Sequence, residues 1–125
     1  RNHAIPLGQP ASLDTADPAP SAVELLLASL GGCLAVGLQW RLSREGVAVR
    51  NLEITLRARS RNLLVFLGAE DEGSPALEGV EGTAWVDADA DEDRLRRAFD
   101  ETLRRSPVAR SLLGEVPLSI QVKTA

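Results

Sequence analysis

The sequence has very few of the residues that build disulfides and metal centres. It contains one cysteine, Cys33, and one histidine, His3, in 125 residues. A single cysteine cannot form an internal disulfide, and together with one histidine it falls short of a zinc site. These shortages exclude a disulfide-stabilised scaffold and a histidine-rich metal centre, and we expect no metal and no cofactor.

Aromatic residues and excess positive charge are scarce as well. The chain has 2 Trp, 2 Phe and no Tyr, so it offers few rings on which nucleobases or sugars could stack. Its 14 basic and 18 acidic side chains give a formal net charge of -4. Binding to a phosphate backbone requires a positive surface, so we expect no nucleic-acid partner.

The length of 125 residues fits one domain, and the 44% of residues that are hydrophobic are enough for one core. We predict a single domain over residues 1–125 that begins with an extended arm, residues 1–20. Within the arm, residues 3–5 are candidates for a short edge strand, and the alternatives left open are an unstructured terminus and pairing with the sheet of a second subunit. The sequence begins with Arg1 rather than methionine, which leaves open that the arm is a truncated form of a longer one. Prolines and turn-forming residues mark the arm: Pro6, Pro10, Asp14, Thr15, Asp17, Pro18 and Pro20.

A long helix is predicted from Ser21 to Gly46. Ser21 and Glu24 have the spacing of a capping box, and Gly46 is a typical helix end. No residue between Glu24 and Arg41 is charged, so the helix is expected to be buried on several sides. The uncharged stretch 25–40 would rise about 24 Å, short of the roughly 30 Å of a bilayer core, and we expect no membrane span.

Small residues recur on one face of this helix at Ala28, Gly32 and Ala35. Glycine inside a helix costs about 1 kcal/mol relative to alanine, and a close approach by another helix would compensate that cost. We therefore expect a neighbouring or dimer-related helix on this face. A helix this apolar also needs more cover than a domain of this size provides, which favours a homodimer.

The rest of the sequence predicts an α+β fold with an antiparallel sheet packed on the central helix. Strands are expected at residues 47–60, where apolar and polar residues alternate, at 80–87 and at 116–123. Residues 63–67 form a short apolar run. A helix begins after Asp89 or Asp91 and ends near Arg105, and Ser106 followed by proline begins a shorter helix that extends to Leu113. The acidic residues around Asp91 are interpreted as helix caps and solvated groups rather than a calcium site.

Cys33 is the candidate nucleophile, and the alternative is a buried core cysteine. The thiolate is the reactive form of cysteine, and Cys33 is too far from the start of its helix to be helped by the helix dipole. We therefore expect an arginine from another segment or subunit to stabilise it. Glu24 points to nearly the opposite side of the same helix, where it either caps the helix or holds an arginine. A hydrolase built on Ser106 is not favoured, because no G-x-S-x-G motif is present and His3 lies in the arm.

Two segments resemble the OsmC/Ohr family of small thiol-dependent proteins. Residues 20–33 read PSAVELLLASLGGC, similar to the family's central-helix motif P-x-x-x-E-L-L-L-A-x-L-G-G-C. Residues 106–112 read SPVARSL, similar to its second motif C-P-V-x-x-x-L, with serine in place of the cysteine. The resemblance implies an α+β homodimer with intertwined N-terminal strands, buried central helices and sites at the subunit interface.

The resemblance also implies reduction of organic hydroperoxides, as part of an oxidative or osmotic stress response. The single cysteine separately favours a reducing compartment, so we expect the protein in the cytoplasm. Cys33 would be oxidised to a sulfenic acid, and an external thiol would have to reduce it because Ser106 cannot form the family's disulfide. The family's arginine-holding glutamate falls at Val23 here, one place before Glu24, and Arg1 is the arginine candidate in the arm. Whether the chain is an enzyme stays open: the alternative is a non-catalytic dimer that binds a small apolar or thiol ligand at its interface.

Overall fold

The structure, a computed structural model, describes residues 1–9 and 16–125. The predicted turn residues Asp14 and Thr15, together with Pro10, lie outside the described residues. The predicted long helix, the three strands and the two later helices are all present, and the α+β class is confirmed. The short apolar run at residues 63–67 forms a further short helix. In chain order the elements are α1 Ala22–Arg44, β1 Val49–Ser60, α2 Leu63–Phe66, β2 Leu77–Ala88, α3 Glu92–Arg105, α4 Pro107–Leu112 and β3 Leu118–Thr124.

The described part of the arm forms no strand, so the prediction of an edge strand at residues 3–5 is wrong for the single chain. A strand needs a sheet edge that accepts its backbone hydrogen bonds, and neither edge strand of this sheet, β1 or β3, pairs with the arm. Instead, the two ends of the arm are linked to each other, because the Pro20 carbonyl accepts a 3.0 Å hydrogen bond from the Gly8 N–H. Ile5 and Leu7 remain exposed.

The caps of α1 are those that the sequence predicts. Ser21 Oγ accepts a hydrogen bond from the Glu24 N–H at 3.3 Å, and Glu24 Oε2 accepts one from the Ser21 N–H at 2.7 Å, which completes the capping box. At the other end, Gly46 follows the C-cap with φ 74°, in the left-handed region that glycine tolerates best.

Only one face of α1 is buried in the single chain. Four leucines on that face, Leu30, Leu34, Leu38 and Leu42, are fully buried and form the centre of the core. Elsewhere on the helix Val36 is 70% exposed and Trp40 67% exposed, so burial on several sides is not achieved within one protomer. As a whole, α1 is long and apolar enough to span a membrane, unlike the shorter uncharged stretch considered above. Its leucines nevertheless pack it as a core helix of this fold.

The sheet has the order β1–β2–β3 and is mixed. β1 and β2 pair antiparallel as predicted, and Leu52, Ile54 and Leu56 on β1 turn their side chains toward the core. β3 runs parallel to β2, which corrects the expectation of a wholly antiparallel sheet. The reason is the crossover: α3 and α4 return the chain to the end of the sheet at which β2 began.

The acidic residues before α3 act as caps and ion-pair partners. Asp91 is the N-cap, and its side chain accepts a hydrogen bond from the Arg94 N–H at 2.8 Å. Asp87 and Asp89 both bind the guanidinium of Arg50 on β1. This agrees with the interpretation as caps rather than as calcium ligands. Within the described ranges, no group of three or more His, Cys, Asp or Glu side chains is arranged to hold a metal ion.

Candidate functional site around Cys33

Cys33 and Ser106 lie side by side in the folded chain. Cys33 is in the middle of α1, is partly exposed, and its Sγ accepts a 3.1 Å hydrogen bond from Ser106 Oγ. Ser106 is only 4% exposed and lies at the junction of α3 and α4. Its Oγ also accepts a 3.1 Å hydrogen bond from the Ala109 N–H, so Ser106 is the N-cap of α4, as predicted. The cap fixes the hydroxyl oxygen and leaves its proton for the sulfur.

Close packing between α1 and α3 holds this pair together. A Cβ at Gly37 would lie 3.0 Å from Thr102 Cγ2, so a larger residue would push the two helices apart. Thr102 is buried and is itself fixed, because its hydroxyl donates a 2.8 Å hydrogen bond to the Ala98 carbonyl. Gly37 is one turn from Cys33 on α1, and Thr102 is four residues before Ser106. The close contact therefore places the end of α3 over the turn that contains Cys33.

The thiol opens onto a cleft of about 730 Å³, which we call the Cys33 cleft. Three arginines line it, and one of them, Arg105, comes from another segment, as we expected of the cation. Arg41 and Arg44 belong to the same helix as Cys33, and Arg105 directly precedes Ser106. The helical spacing contains this signal, since Arg44 follows Cys33 by about three turns and returns to the same face. The full lining comprises Cys33, Val36, Gly37, Trp40, Arg41, Arg44, Glu45, Thr102, Arg105, Ser106 and Pro107.

Two charged groups of the cleft already have partners. The first is Arg105, which is bound to Glu101; that carboxylate also binds Arg104 at 2.6 Å. Hydrogen bonds from Arg104 and then Arg105 lower the pKa of Glu101 to about 2. The second is Glu45, which pairs with Arg94 at 3.3 Å.

Arg41 and Arg44 are differently placed. The Nε of Arg41 is buried, and no described residue accepts a hydrogen bond from it. Arg44 is exposed and forms no ion pair with any residue that the structure describes. The cleft therefore contains two guanidiniums without a carboxylate partner among the described residues.

Glu24 and Arg1 are not part of the Cys33 cleft. Glu24 is engaged in the capping box, and the Ser21 backbone N–H lowers its pKa below the ordinary value of 4.5. It borders a separate depression of about 410 Å³ that also includes Ala28, Gly32 and Ala35. Arg1 is exposed and is absent from the lining of the Cys33 cleft. Of the four predicted site residues, the single chain brings together Cys33 and Ser106.

Comparison with known protein families identifies the family of this chain. Residues 14–121 match the family described as OsmC-like protein. The chain belongs to that family. No curated protein sequence matches it.

Solved structures share the OsmC-like fold at low sequence identity. An organic hydroperoxide resistance protein OsmC from Legionella pneumophila is 15% identical with a TM-score of 0.75, and the match covers 95% of this chain and 80% of that one. OhrB of Bacillus subtilis is 14% identical with a TM-score of 0.70, over 93% and 79% of the two chains. A putative organic hydroperoxide resistance protein from Vibrio cholerae, solved with captopril in one of its active sites, is 14% identical with a TM-score of 0.68, over 84% and 66%. The OsmC-like architecture predicted from the two sequence motifs is therefore confirmed.

Proposed function

We propose that this OsmC-like chain reduces organic hydroperoxides with Cys33 as its single redox-active cysteine. The observation that supports this most directly is the position of Sγ. It is partly exposed on a cleft of about 730 Å³, accepts a hydrogen bond from Ser106 and shares that cleft with guanidinium groups. The thiolate is the nucleophilic form of cysteine, and a hydrogen-bond donor and guanidinium groups are partners that bind an anion.

The reaction requires one two-electron step at the sulfur. The Cys33 thiolate attacks the terminal oxygen of the hydroperoxide, and the O–O bond breaks as the S–O bond forms. The sulfur becomes a sulfenic acid, and the alkoxide leaves and takes a proton from solvent to give the alcohol. The apolar wall formed by Val36 and Pro107 suits the organic part of such a substrate.

Reduction of the sulfenic acid then depends on thiols from outside the chain. Ser106 occupies the position closest to the sulfur, but a hydroxyl cannot form a disulfide. One external thiol condenses with the sulfenic acid to give a mixed disulfide and water. A second thiol then attacks that disulfide, restores the Cys33 thiol and leaves the external pair oxidised.

Trapping the sulfenic acid tests this proposal. The protein is treated with cumene hydroperoxide in the presence of dimedone, without added thiol, and analysed by mass spectrometry. We expect rapid dimedone labelling of Cys33, none in Cys33→Ser, and unchanged labelling in Ser119→Ala, an exposed serine on β3 used as a control.

Absence of labelling while Cys33 still reacts readily with an alkylating agent would contradict peroxide reduction. That outcome would favour the second candidate, a non-catalytic dimer that binds a small apolar or thiol ligand. The observation that supports this second candidate is the captopril bound in one of the active sites of the Vibrio cholerae protein.

We also propose that the working form is a homodimer in the cytoplasm. The stripe of small residues Ala28, Gly32 and Ala35, which lies outside the Cys33 cleft and where a Cβ at Gly32 would meet nothing within 4 Å, leaves part of α1 without cover in one protomer. Burying such a surface is favourable, and a second copy of the chain presents the same surface. Sedimentation at micromolar concentration should give a dimer, and a compact monomer would contradict the assembly. The single unpaired thiol suits a reducing compartment.

A further inference from the structure

The Cys33 cleft is positively charged, although the chain as a whole has a net charge of -4. Its lining includes three arginines and one carboxylate, Glu45. Arg105 is bound to Glu101, which also binds Arg104, and Glu45 is bound to Arg94, so these two groups already have ion-pair partners. The charge that remains for a ligand is that of Arg41 and Arg44.

Arg41 lacks an acceptor in this fold. Its Nε is buried without a hydrogen-bond partner among the described residues. A buried donor without a partner costs free energy, so a shift of the Arg41 side chain that brings its guanidinium to an acceptor in the cleft would be favourable. Guanidinium groups pair best with planar anions such as carboxylates, which they bind through two parallel hydrogen bonds.

The distance along α1 sets the size of the ligand. At about 1.5 Å per residue, Arg41 and Arg44 lie roughly 12 and 16 Å along the axis from Cys33. Helical side chains tilt toward the N-terminus, which favours conformations in which both arginines reach back toward the thiol. The floor between them is formed by Gly37, which has no side chain, and by Trp40. A small molecule with a carboxylate several bonds from its reactive atom fits this space.

We propose that the external thiol that reduces Cys33 is a low-molecular-weight thiol with a carboxylate group, which Arg41 and Arg44 bind. This rests on the proposed function and names its co-reductant. The bound thiol condenses with the Cys33 sulfenic acid, forming an S–S bond and releasing water. A second molecule of the same thiol attacks the mixed disulfide, so the small thiol leaves as its symmetrical disulfide and Cys33 is again a thiol.

Disulfide exchange tests the charge preference without any peroxide. The reduced protein reacts with dithiobis(nitrobenzoate), an anionic disulfide whose carboxylates mimic the ligand, and separately with the neutral dithiodipyridine. In each case Cys33 attacks the disulfide and one aromatic thiol is released, which absorbance measures. The quantity compared between variants is the ratio of the anionic to the neutral rate constant.

We expect Arg44→Gln and Arg41→Gln each to lower this ratio about threefold, the effect of losing one partly exposed charge pair. Arg44→Lys should keep most of it, and added salt should lower it in the parent protein. Arg59→Gln is the matched control, because it removes the same charge from β1, outside the Cys33 cleft. Equal ratios in Arg44→Gln, Arg41→Gln and Arg59→Gln would overturn the proposal. Dimedone labelling reports on peroxide reduction separately, so either proposal can fail while the other stands.

Discussion

Ser106 Oγ donates a 3.1 Å hydrogen bond to Cys33 Sγ, between two residues that are 73 positions apart in sequence. The serine stands where the family resemblance has a second cysteine. The fold therefore brings position 106 to the sulfur, and the serine at that position cannot form a disulfide.

Replacing Ser106 with cysteine should allow an internal disulfide with Cys33. In Ser106→Cys the two sulfurs would lie close enough to bond, so one equivalent of cumene hydroperoxide should yield a product that has lost two hydrogens in its intact mass. Ser106→Ala is the matched control and should give no such product. A product in which Cys33 carries added oxygen while the cysteine introduced at position 106 stays a thiol would show that position 106 cannot resolve the sulfenic acid.

Gly32→Ala should stabilise the monomer and weaken the dimer. The added methyl meets nothing within 4 Å in the single chain, and alanine is favoured over glycine in a helix by about 1 kcal/mol. In the proposed dimer the same methyl would separate the packed helices, so sedimentation should show a higher dissociation constant. Ser43→Ala, near the end of α1, serves as the control. An unchanged dissociation constant in Gly32→Ala would place the interface elsewhere.

Gly37→Ala should destabilise the fold even though it favours the helix. Its Cβ would lie 3.0 Å from Thr102 Cγ2, and overpacking costs about 1–3 kcal/mol, which outweighs the gain in helix propensity. At Gly31, by contrast, a Cβ would meet Leu56 Cδ1 at an ordinary 3.6 Å, so Gly31→Ala is the control. Urea denaturation measures both. Adding Thr102→Ser, which removes Cγ2, should rescue Gly37→Ala, and failure of that rescue would refute the packing explanation.

Glu24→Gln should change how stability depends on pH. The pKa of Glu24 in the folded chain lies below 4.5 because the Ser21 backbone N–H binds the carboxylate. The ionised group therefore stabilises the fold above pH 4.5, and this contribution is lost as the pH falls through the lowered pKa. Glutamine also accepts that hydrogen bond but does not titrate. The urea midpoint of the parent should fall further between pH 7 and pH 3 than that of Glu24→Gln.

The control for this prediction is Glu115→Gln, at an exposed position before β3. It should follow the parent at both pH values. If Glu24→Gln and Glu115→Gln show the same loss between pH 7 and pH 3, the capping box contributes no pH dependence.

Local signals in the sequence were sufficient for most of the secondary structure. The capping box at Ser21, the N-cap at Ser106 and the alternation along β1 are each short-range patterns, and each is confirmed. Cap residues state where a helix begins because their side chains bind the first backbone N–H groups, whatever the rest of the chain does.

The misses depend on contacts distant in sequence. β3 pairs parallel with β2 because α3 and α4 carry the chain back across the sheet, and no pattern within β3 itself encodes that direction. The arginines of the Cys33 cleft were missed for a similar reason. The helical spacing alone places Arg41 and Arg44 near the face of α1 that carries Cys33. That face becomes one wall of a cleft only because α3 packs against Gly37, and this contact is distant in sequence.

The interval of 73 residues between the thiol and its serine partner also matters during synthesis of the protein. A ribosome adds about 5–20 residues per second, so Cys33 is made roughly 4–15 s before Ser106 exists. Throughout that interval the Cys33 thiol lacks the hydroxyl that hydrogen-bonds to it in the finished fold. Its reactivity with cellular oxidants should therefore differ between newly made and finished molecules, and the finished fold acquires its redox character only with its last fifth.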